Sequence, residues 1–92
     1  NEILKIIPSQ LKLFYKNEEY AAVILLAEIL FNVDSLNEIA FYYRIHSLLK
    51  MGMTFKAKKQ FNYFILEYNK IMGDHYPCTY KDVKKQIPDE LK

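Results

Sequence analysis

The residues of greatest chemical potential fall together in Asp74-His75-Tyr76-Pro77-Cys78, where an imidazole and a thiol stand three positions apart beside a carboxylate. Such a group could begin a zinc site. Zinc, however, takes three or four protein ligands, and the other histidine, His46, belongs to a different helical stretch. Read as a nucleophile, Cys78 would need His75 to hold it as a thiolate, with no third group evident to orient that base. The structural alternative is a turn in which Tyr76 packs under the following helix and Cys78 is a small hydrophobe. Glu18 and Glu19 are adjacent carboxylates at an expected helix start, where negative charge suits the helix dipole. The sequence contains no glycine-rich phosphate loop and no serine in a nucleophile elbow. No catalytic, cofactor-binding or metal residue is assigned, and the chain is expected not to be an enzyme.

Charge narrows the classes further. Thirteen basic against 11 acidic residues leave a net charge of +2 over 92 residues, without the basic arm that dominates phosphate-backbone binding. DNA is therefore expected only through a separate domain, if at all. Lys56, Lys58 and Lys59 cluster at one helix start, and Lys81, Lys84 and Lys85 stud the last helix. They read as a solvated face, or as a basic strip adjoining DNA held by another domain. One cysteine excludes an internal disulfide and fits a reducing, cytoplasmic setting. No apolar run is long enough for a membrane span, and the N-terminus lacks a signal-peptide pattern. The chain lacks an initial methionine and opens directly into apolar periodicity, so it reads as one domain from a longer protein.

The elements that position these residues are helices. Two glycines and three prolines punctuate the chain, and no strand-like alternation persists. Ile3, Ile7, Leu11 and Phe14 form a first periodic face, with a kink or fresh start expected at Pro8-Ser9. Tyr20, Val23, Ile24, Ala27, Leu30 and Phe31 form a second, over about Glu18 to Phe31. Ser35-Leu36-Asn37-Glu38 reads as a capping box opening a third helix, with Phe41, Ile45, Leu48 and Leu49 on its apolar face and Gly52 closing it. Thr54 is expected to cap a long fourth helix in which Ala57, Phe61, Phe64, Ile65, Tyr68 and Met72 share a face, until Gly73. Thr79 to Asp82 is a second capping box, for a short helix over about 79–87 that Pro88 ends.

Adding 34 to the residue number carries the second helix onto the fourth: Tyr20 to Thr54, Val23 to Ala57, Ala27 to Phe61, Leu30 to Phe64. A period of 34 residues in paired helices is the tetratricopeptide signature. In that frame Gly52 makes the turn, Ala57 sits at the closest helix approach, and Phe61, Phe64 and Tyr68 fill the wider space. The expected fold is all-α, a tetratricopeptide-like array of antiparallel pairs (about 1–34 and 35–73) and a short capping helix, about five helices in all. Arg44 stands where the repeat usually has an apolar residue, and Asn69 where it often has proline. The register directs Ile39, Tyr42, Tyr43, His46, Leu49 and Lys50 to the concave side, joined by Lys5, Lys12, Tyr15 and Lys16. Such a surface would suit a peptide or acidic segment, unless the tyrosines pack between helices.

From Glu18 to Val83 the chain resembles the bacterial transcriptional activator domain, the helical domain that follows a winged-helix domain in antibiotic-regulatory activators. The resemblance rests on "NEIAFYYRIHSLLKMG", "KAKKQFNYFILEYNKIMGDHYP" and "TYKDV", with spaced aromatics Phe61, Phe64 and Tyr68 running into Gly73-Asp74-His75-Tyr76-Pro77. It implies a non-catalytic protein-protein interaction domain of a transcriptional regulator. The implied partners are other domains of the same regulator, the transcription machinery or a second copy. The alternative is a tetratricopeptide scaffold or adaptor module for protein assembly, with no link to DNA.

Overall fold

Two turns of the same design set the frame. The computed structural model of the chain describes residues 2–86, with side-chain surroundings from Ile6 onward. The side chains of Ile3 and Lys5, and residues 87 to 92 with Pro88, lie outside the described residues. Five helices follow one another: α1 (Glu2–Lys16), α2 (Tyr20–Val33), α3 (Glu38–Lys50), α4 (Thr54–Met72) and α5 (Tyr80–Lys85). Between α1 and α2, the Glu18 amide donates to Tyr15 O at 3.0 Å and the Glu19 amide to Phe14 O at 2.9 Å. Between α3 and α4, Gly52 donates to Leu49 O at 3.0 Å and Met53 to Leu48 O at 2.9 Å. Both are Schellman motifs, which satisfy the last helical carbonyls through a residue of positive φ. That residue is Glu18 (φ 61°) in one turn and Gly52 (φ 74°) in the other, 34 positions apart.

The burial pattern repeats with the same offset. α2 buries Val23, Ala27 and Leu30, and α4 buries Ala57, Phe61 and Phe64, each a shift of 34. The expected array of helix pairs is therefore the observed one, and Ala57 is fully buried. α3 is the centre, in contact with α1, α2, α4 and α5.

Several local expectations change. The α3 start belongs to Asn37, whose side chain accepts from the Ala40 amide at 2.9 Å, while Asp34 accepts from Leu36. Ser35 and Glu38 thus form no capping box. The Asx side chains bracket the turn and shift the helix start toward the C-terminus. Met53, not Thr54, is the N-cap of α4 and makes no side-chain cap bond, because the preceding Schellman turn already fixes the entry. α2 starts at Tyr20, leaving Glu18 and Glu19 ahead of its first turn. α1 is continuous through Pro8: one hydrogen bond is lost, and Ile7 and Leu11 keep both sides of it in the core. Met72 is exposed. Gly73 does end α4, with φ 69°, and the Thr79–Asp82 capping box is complete.

Tyr76 packs between α3 and α4 rather than under α5. Its ring lies 5.0 Å from Tyr68, 5.3 Å from Phe64 and 6.0 Å from Phe41, and its hydroxyl donates to Glu38 Oε2 at 3.0 Å. Burial raises its pKa far above the ordinary phenol value, so it stays protonated as a donor. Cys78 packs half-buried against the same cluster.

Candidate functional site

The sequence places three lysines on one repeat position: Lys16, Lys50 and Lys84 follow at intervals of 34. They end α1, end α3 and lie in the last turn of α5. The fold gathers all three around one open groove of about 450 Å³, lined also by Tyr15, Tyr20 and His46. Among the described residues, Glu18 is the only acid on its lining.

Aromatic contacts fix the floor. The Tyr15 ring meets Tyr43 edge-on at 5.5 Å and Tyr20 edge-on at 5.6 Å, so ring contacts bridge α1, the start of α2 and α3 at this end of the aliphatic cluster. His46 is 8% exposed, and its Nε2 donates to the Val83 carbonyl of α5 at 2.9 Å. A carbonyl only accepts, so Nε2 carries a proton. Burial lowers the His46 pKa from its ordinary 6.5, against the upward pull of the Val83 and Gln86 backbone, and nearby Lys50 lowers it further. The neutral ring is therefore the favoured form. On α5, Tyr80 takes Lys58 Nζ at 4.6 Å and Lys84 Nζ at 5.0 Å from its ring centroid, both cation–π distances. The basic character of the groove thus continues over α5 to α4.

The expected concave set divides. Tyr15, His46 and Lys50 meet in the groove. Tyr42 and Tyr43 do not line an open surface: they are 2% and 3% exposed, because α3 is covered on every side by its four neighbours. Leu49 packs half-buried against the α3–α4 cluster and Ile39 against the α1–α2 cluster. Lys12 is exposed on α1 but is not part of the lining. Sequence reasoning did not single out Lys84 or Tyr20 for the groove. The signal for Lys84 was available, since the shift that relates Gly52 to Glu18 also relates Lys84 to Lys50.

His75 and Cys78 do not form a ligand set: among the described residues no three of His, Cys, Asp and Glu come together to hold a metal. Among the same residues no helix is long and apolar enough to cross a membrane. Comparison with protein-family models, with curated proteins and with solved structures finds no match for this chain.

Proposed function

We propose that this chain is a non-catalytic protein-interaction domain of a bacterial, cytoplasmic transcriptional regulator, and that it takes an acidic peptide segment in the groove between α1, α3 and α5. The observation that carries the binding reading is the repeated lysine position: three cations from α1, α3 and α5 on one groove, with His46 and two tyrosines on the same lining. Packed helices stand roughly 8–10 Å apart, and a peptide in polyproline II form rises about 3.1 Å per residue with three residues per turn, which brings every third side chain to one face. Acidic side chains about three residues apart in a partner would meet Lys16, Lys50 and Lys84 in turn. The link to transcription draws on the resemblance carried by Glu18 to Val83. The scaffold reading is favoured by a different observation, the exposed Leu25, Ile29 and Val33 on α2 and Ile6 and Leu13 on α1, apolar surface that a further helix pair would cover.

The groove is tested by fluorescence anisotropy with a labelled peptide carrying glutamate at every third position. Lys50→Glu with Lys84→Glu should weaken binding by about tenfold or more, with only a small fall in melting midpoint from the lost Lys84–Tyr80 contact and the reversed helix-end charges, since both side chains are exposed. Added salt should weaken the parent complex, and duplex DNA should not be retarded at physiological salt. Equal affinity of parent and double variant would remove the groove from consideration. The reading frame encoded ahead of Asn1 separates regulator from scaffold: a winged helix supports the first, further 34-residue repeats the second.

A further inference from the structure

Arg44 lies two residues before His46 on α3, hence on the other side of that helix from the lysine groove. Its guanidinium enters the space between α2 and α4. Nη2 donates to Glu28 Oε1 at 3.4 Å, a single long contact, and Cζ stands 5.7 Å from the Phe31 ring centroid. The side chain is 19% exposed, and its buried Nε has no hydrogen-bond partner among the described residues. An unpaired donor of this kind in a low-dielectric setting costs free energy that an acceptor would recover. Desolvation lowers the Arg44 pKa, and Glu28 opposes it only partly.

Beside the guanidinium is a partly enclosed pocket of about 170 Å³. Phe31, Phe41 and Phe64 give it an aromatic floor, with Phe41 and Phe64 stacked at 3.9 Å. Ser35, Gln60 and Tyr63 bring polar groups to its wall, and among the described residues no acid lines it. A cavity of about 150 Å³ accommodates benzene. A planar guanidinium matches a carboxylate, while the aromatic floor suits an apolar ring and offers nothing to the remaining charge of a phosphate. We propose that this pocket binds a small aromatic monocarboxylate, its ring on the phenylalanine floor and its carboxylate on Arg44.

The test titrates phenylacetate into ¹⁵N-labelled protein. Saturable shifts are expected at the Ser35 and Tyr63 amides and at the Arg44 Nε–H, whose resonance moves on gaining an acceptor. Phenylacetamide, with the same shape and no charge, should bind about tenfold or more weaker. Arg44→Gln should abolish the shifts. Gln60→Trp, which leaves the guanidinium in place and fills the pocket, should also abolish them and does not depend on whether Arg44→Gln folds. Equal affinity for the amide, shifts confined to the Lys16–Lys50–Lys84 groove, or no saturable shift at millimolar phenylacetate would overturn the proposal. Each of these readouts is independent of acidic-peptide binding.

Discussion

The two halves of the molecule share one frame and fill it with different chemistry. Around α1 and α2 the buried set is mostly aliphatic: Ile7, Leu11, Val23, Ala27, Leu30 and Ala40, with Tyr43 the one buried ring. Around α4 it is largely aromatic, with Phe41, Tyr42, Phe61, Phe64 and Tyr76 in one cluster. At equivalent positions Ala27 is replaced by Phe61 and Leu30 by Phe64, whereas Val23 gives way to the smaller Ala57. A helical repeat thus specifies positions and directions, and leaves side-chain volume to be balanced within each pair. The aromatic half also admits a segment with no helical structure. Tyr76, 34 positions after Tyr42, inserts its ring where a regular helix turn would otherwise supply one.

The largest test of this contrast is a pair of truncations. Phe41 touches Tyr42, Phe61, Phe64 and Tyr76, so Phe41→Ala should cost about 3–5 kcal/mol. Leu11→Ala, in the aliphatic half, should cost roughly 1 kcal/mol less, the difference being the ring–ring contribution. Urea titration of both variants measures it; a larger loss at Leu11 would place the main core on the other side of α3.

A smaller and signed test concerns the two turns. Glu18→Gly should stabilise the fold by up to about 1 kcal/mol, since a side chain at positive φ is strained. Gly52→Ala should destabilise it by about 1 kcal/mol through the backbone alone, because an added Cβ meets nothing within 4 Å. Shifts of the same sign in chemical denaturation would show that the turns are not equivalent.

The smallest effect should come from pH. His46 has its pKa lowered in the folded chain, so its contribution is full above the ordinary 6.5 and is lost as pH falls through the depressed value. Melting curves from about pH 7.5 to 5 should decline more for the parent than for His46→Gln, whose amide can still donate to Val83 O. Parallel declines would mean that other groups govern the acid limb.

The helices were legible because apolar residues recur at helical spacing, and the pair architecture because the 34-residue shift superimposes buried positions. Gly52, Gly73 and the Thr79–Asp82 cap were legible from local chemistry alone. Errors arose where neighbouring groups compete: Asn37 displaced Ser35 as cap, and the Schellman turn before α4 made Thr54 unnecessary. The burial of Tyr42 and Tyr43 could not be read from periodicity, since a central helix hides its polar-looking side as well as its apolar one. Of the groove, Tyr15, His46 and Lys50 followed from the repeat register. The place of α5 against α3 depends on the Val83 carbonyl, which His46 meets across a long sequence separation.

One wall of the lysine groove is held far more lightly than the others. α5 has six residues, buries Val83 alone among them, and is tied to α3 by the His46 bond. Elements with so few buried contacts detach at a free energy well below that of global unfolding. Lys84 is in place only while α5 is docked, so the apparent dissociation constant of a three-lysine ligand equals the intrinsic one divided by the docked fraction. Such a ligand would hold α5 down and slow amide exchange there, whereas one engaging only Lys16 and Lys50 would leave the docking equilibrium untouched. If the groove takes acidic segments as proposed, selectivity between longer and shorter ones would reside in the population of a single six-residue helix.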